Sequence, residues 1–142
     1  MIATQGRREV KGVRTRGNFP KGNVGNSYRS ALANLLVLMS ARTTASRVFD
    51  TYKARIGERD VPLKESDRSV EELTNGLYEA DLHIGLNGSG PYINSLYYLK
   101  KEEGSYWVAT LDGKAYQDGP AQMWDLSDQE VLAVLEVRKV EK

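Results

Sequence analysis

Glu79, Asp81 and His83 are the residues best suited to chemistry: two carboxylates and the chain's one imidazole, at alternate positions. On a strand they share a face, and such a set can begin a metal site or hold a base beside an acid. Alternate strand residues, however, stand roughly 6.5 to 7 Å apart along the backbone, so three in a row do not converge on one ion. The expectation is a solvated polar face. A serine nucleophile is not signalled either, because no Gly-x-Ser-x-Gly elbow is present. With no cysteine there is no disulfide framework, thiolate zinc site or cysteine nucleophile.

Two glycine-rich stretches invite a phosphate reading. Lys21-Gly22-Asn23-Val24-Gly25-Asn26-Ser27 leads into a helical pattern, but it lacks the Gly-Lys-Ser/Thr ending of a P-loop, and its lysine precedes the glycines. Gly88-Ser89-Gly90-Pro91 lacks the third glycine of a dinucleotide fingerprint and falls between strands. Asp112, Asp118, Asp125 and Asp128 follow no calcium-loop spacing. Loop, cap and turn duties account for all of these. We therefore expect no catalytic residue, cofactor or metal, and a protein that is not an enzyme.

The elements that would position these residues read as follows. Ser27 to Ile56 has apolar residues near the 3.6-residue period, with Asn26 or Ser27 as the cap and Gly57 just past the end. It predicts one long helix that continues through Arg42-Thr43-Thr44. Leu35 to Met39 is apolar on every side, and a helix apolar all round must be buried all round. Leu36, Val37 and Leu38 are accordingly candidate partner-binding residues, unless a second helix of the same chain covers them. A short helix is predicted near Asp67 to Asn75, with a Ser69/Glu72 capping box and an Asn75-Gly76 stop.

Tyr78, Ala80, Leu82, Ile84 and Leu86 alternate with the polar set above, which predicts a half-buried strand. The stretch from Tyr92 to Lys101 reads as strand or helix. Tyr106 to Leu111 and Lys114 to Gln117 flank Asp112-Gly113, a two-residue hairpin signal. Trp124 is a candidate core anchor, and Val131 to Val140 leans to strand on its β-branched content. The many tyrosines of this half suit either a Tyr-rich sheet or an interface. The expected fold is α+β: one long and one short helix on an antiparallel meander of about four to five strands, with an extended basic N-terminal arm.

That arm, residues 1–26, is the most asymmetric part of the chain. Arg7, Arg8, Lys11, Arg14, Arg16 and Lys21 against Glu9 give it +5, and since the whole chain is +1, residues 27–142, expected to form a single domain, carry −4. With few large apolar groups the arm cannot bury enough surface to offset the entropy of ordering it alone. Extended, it would span roughly 85 to 95 Å, beyond the body itself. The six cations suit phosphates or an acidic protein surface. Phe19 is the arm's one aromatic, which leaves little stacking surface for nucleic acid, and Arg8 to Arg16 has the look of a strand that could add to a sheet edge.

The chain begins without the apolar core of a secretory signal and has no run of apolar residues long enough to cross a bilayer. The expectation is a soluble protein made in the cytoplasm. It is read as a structural subunit that joins copies of itself or other structural proteins through its arm, with no membrane partner. Small cysteine-free domains with such arms occur in bacteriophage capsids, necks and tails, which makes a virion the expected setting. The alternative is a small nucleic-acid-binding or regulatory protein using the arm on phosphates.

Overall fold

The computed structural model describes Phe19 and residues 24–84, 94–102, 104–111, 114–116, 123–125 and 130–141. The fold is α+β, with three helices among the described residues on an antiparallel sheet. The helices are α1 (Tyr28–Leu38), α2 (Arg42–Arg55) and α3 (Ser66–Leu73), the last preceded by a 3₁₀ turn at Leu63–Glu65. Four strands of seven to nine residues, β1 (Tyr78–Ile84), β2 (Asn94–Lys101), β3 (Gly104–Leu111) and β6 (Val131–Lys139), are joined by two of three residues, β4 (Lys114–Tyr116) and β5 (Met123–Asp125). Their order is β1-β6-β2-β3-β4-β5.

The expected single long helix is two helices. Ser40 has φ +65°, its amide donates to the Val37 carbonyl at 2.9 Å, and the Ala41 amide donates to the Leu36 carbonyl at 2.7 Å. This pair of bonds closes α1 in a Schellman turn, with serine in the left-handed position usually given to glycine. The turn lets α2 pack back against α1. Together with β2 and β3 beneath, α2 answers the problem of the all-round apolar segment within one chain. Leu36, Val37 and Leu38 are all buried in the main core. They are not the exposed partner surface that their pattern suggested.

The start of α1 is tied down from a distance. Ser27 is at the expected cap position, but its hydroxyl is turned elsewhere: it accepts from the Trp107 amide at 2.6 Å and donates to Asp60 Oδ2 at 3.4 Å. The capping acceptor is Asp60, whose Oδ1 receives the Tyr28 amide at 2.7 Å, while its own amide donates to the Gly25 carbonyl at 2.8 Å. A carboxylate there also suits the positive end of the helix dipole. Tyr28, wholly buried, donates its hydroxyl to the Ser66 carbonyl at 2.7 Å and meets Trp107 edge-on at 5.5 Å between centroids. One cluster thus ties α1, the loop after α2, α3 and β3.

The predicted short helix is present as α3, and Asn75-Gly76 does end it. Asn75 and Gly76 both have positive φ, and their amides reach back to Glu72 and Glu71. The expected capping box does not form, because Ser69 lies inside the helix and is buried; the start is made instead by the 3₁₀ turn, with Ser66 donating to the Leu63 carbonyl at 2.7 Å. Gly57, φ +114°, follows α2 as expected.

In the sheet, β2 settles as strand and β6 does too. Leu111 pairs with Lys114 across the predicted hairpin, whose turn residues Asp112 and Gly113 lie outside the described residues. The sheet is more than a meander, however. The last strand inserts between β1 and β2, antiparallel to both, with a register shift at Tyr98/Leu99. The sixth strand, β5, was not anticipated, and the side chain of Trp124 lies outside the described residues. Leu96, Trp107, Ala109, Leu135 and Val137 face the helices. Their neighbours Tyr97, Leu99, Tyr106, Val108 and Val134 form a second buried cluster through the period-2 alternation of strands.

Candidate functional site

Among the described residues β1 is an edge strand, bordered by β6. Its apolar face meets the helix side as predicted: Tyr78 and Ala80 are buried beneath α3 and Leu82 is half-buried. Ile84 runs past this cover and is 62% exposed. Thr74 fixes the entry to the strand, its hydroxyl donating to the Val70 carbonyl at 2.7 Å and accepting the Tyr78 amide at 3.1 Å.

Glu79, Asp81 and His83 lie on the other face. The register sets Glu79 opposite Arg138, Asp81 opposite Glu136 and His83 opposite Val134. Arg138 bridges the two carboxylates, Nε to Glu79 Oε2 at 2.8 Å and Nη1 to Asp81 Oδ2 at 2.7 Å. This guanidinium lowers the Asp81 pKa, chiefly through its hydrogen bond, and the carboxylates in turn raise that of Arg138. His83 Nε2 stands 3.4 Å from Glu136 Oε1. The imidazole and the two carboxylates of β1 are thus divided between different partners on β6. Among the described residues no group of three or more His, Asp or Glu could hold a metal ion. The cluster is a charged lattice across two strands, in which every carboxylate faces a donor.

Glu136 and Arg138 were not singled out from sequence. They alternate with Leu135 and Val137, a period-2 signal that could have placed them on one face once β6 was taken as a strand. Their partners could not be read, because the β1–β6 pairing joins residues from 49 to 61 positions apart.

The basic arm enters the described structure at Phe19 and again at residues 24–26, which lead into α1. Phe19 is buried, its ring stacked on Phe49 of α2 at 4.6 Å between centroids, and its carbonyl accepts from Asn34 Nδ2 on α1 at 3.3 Å. The Arg29 guanidinium lies 3.7 Å from the centroid of the same Phe49 ring, with Nε donating to the Phe49 carbonyl at 2.8 Å. The packed body therefore reaches back to Phe19, ahead of the expected boundary at residue 26. Arg7, Arg8, Lys11, Arg14, Arg16 and Lys21 lie outside the described residues, as do Leu86, Gly88-Ser89-Gly90-Pro91, Asp118 and Asp128. Among the described residues no helix is long and apolar enough to cross a membrane. Comparison with protein-family models, curated proteins and solved structures finds no match to this chain.

Proposed function

We propose that this chain is a non-enzymatic assembly subunit whose basic N-terminal segment docks on acidic surfaces of neighbouring subunits, as in a virion capsid, neck or tail. The observation that carries this reading is the division of charge, +5 over the first 26 residues and −4 over the rest, on a chain whose basic segment is fastened to the body at Phe19. A fastened root with five cations ahead of it, from Arg7 to Arg16, gives a connector of defined origin. Opposite charge on arm and body favours head-to-tail contact between copies, an attraction with a range of about 10 Å at 0.1 M salt.

Light scattering on the full chain, and on a chain starting at Phe19, tests this across a salt series. The full chain is expected to form multimers at low salt that dissociate as salt rises, and the shortened chain to remain a monomer. Monomers from both would overturn it. The six cations favour a second reading, binding of nucleic-acid phosphates, which predicts a log–log salt slope of up to about −5 for that binding.

A further inference from the structure

We propose that the Arg8–Arg16 segment of one copy adds as a strand to the β1 edge of a second copy; this rests on the assembly reading above and names its contact. β1 has the features of an edge open to pairing. It is seven residues long, has β6 as its sheet neighbour among the described residues, and contains neither the proline nor the lysine that commonly blunt such edges. The opposite edge, β5, is three residues long, and shortness is itself protective. An added strand gains main-chain hydrogen bonds along the edge, while its side chains meet the two faces alternately.

Carboxylates stand on both faces beside β1, with Arg68 of α3 and Lys139, opposite Tyr78, as exposed cations on the helix side. Glu79 and Asp81 project from one, with Glu136 next to them and Arg138 the cation among the three. On the other, α3 packs over β1 and exposes Glu71 and Glu72. The incoming segment, Arg8-Glu9-Val10-Lys11-Gly12-Val13-Arg14-Thr15-Arg16, is +3 over nine residues, enough to cover the strand. As a strand it would put Arg8, Arg14 and Arg16 on one face and Lys11 on the other.

A second copy is the occupant that the assembly reading supplies, and its β1 edge offers carboxylates to a segment that carries +3. The segment's own β1 is the rival occupant, and the dilution series below separates the two.

Hydrogen exchange on the full chain, followed residue by residue over a dilution range of about a hundredfold, tests the contact beside light scattering. The expected result is that outward-pointing β1 amides between Tyr78 and Ile84 slow by about tenfold or more as concentration rises. Arg8→Glu/Arg14→Glu/Arg16→Glu should abolish that slowing without changing exchange in α1. Slow β1 exchange even at the lowest concentration would mean that the edge is covered within one chain, and would overturn the proposal. Fast β1 exchange in samples that light scattering shows to be multimeric would overturn it while leaving the assembly reading intact. Monomers at every concentration would overturn both.

Discussion

Asp60 shows how one side chain can serve the backbone at a cost to its own charge. It caps α1 through the Tyr28 amide and receives the Ser27 hydroxyl, yet burial outweighs these hydrogen bonds and raises its pKa above the ordinary carboxylate value. The folded chain therefore keeps the Asp60 proton to a higher pH than the unfolded chain does. The stability this group contributes is full below the ordinary carboxylate pKa and is lost as pH rises through the raised one. Asp60→Asn retains an acceptor for the Tyr28 amide and removes the buried charge. Its stability relative to the native chain should rise between about pH 3 and about pH 7, as measured by urea unfolding at both. Asp60→Ala leaves that amide without its acceptor and should cost about 1 to 2 kcal/mol at neutral pH. Sequence placed the helix start correctly but assigned the cap to Asn26 or Ser27. A capping carboxylate 32 residues beyond the amide it serves follows from the path of the loop after α2, which no local pattern encodes.

At the level of elements, legibility tracks how local the determining interaction is. The alternation in β1, the Asn75-Gly76 stop and the antiparallel pairing of β3 with β4 are local and were readable. The α1–α2 break was not, because its left-handed residue is Ser40 rather than glycine or asparagine, and the apolar period runs on across it. The insertion of β6 between β1 and β2 was hidden for the opposite reason: it depends wholly on distant pairings. Ser40 gives the break a direct test. A left-handed non-glycine residue costs roughly 1 to 2 kcal/mol, and replacing it by glycine returns about 0.4 to 1 kcal/mol of unfolded-state entropy. Strain relief is the larger effect, and Ser40 is exposed, so little packing is lost. Ser40→Gly should stabilise the chain by about 0.5 to 1 kcal/mol in equilibrium unfolding. A loss of stability would show that the serine side chain contributes more to the turn than its backbone conformation costs.

For the whole molecule, the question is what fastening the basic segment at Phe19 accomplishes. A segment joined to the body only by a flexible tether would explore a large volume, and its effective concentration at a neighbour would fall with tether length. The Phe19–Phe49 stack, with Arg29 on the same ring, shortens that tether to the residues ahead of Phe19. The charge division was plain in the sequence; the fastening was not, since a lone phenylalanine among glycines and cations gives no sign of where it will pack. Phe19→Ala separates the two properties, because it leaves every charge in place. Loss of the buried ring should lower unfolding stability by about 1.5 to 3 kcal/mol. If fastening matters for assembly, the variant should also need a higher protein concentration to multimerise at low salt, while the salt concentration that halves assembly changes little, since the charges that attract are the same. A variant that loses stability but assembles at the native concentration would confine Phe19 to packing, and leave charge alone as the source of the contact between copies.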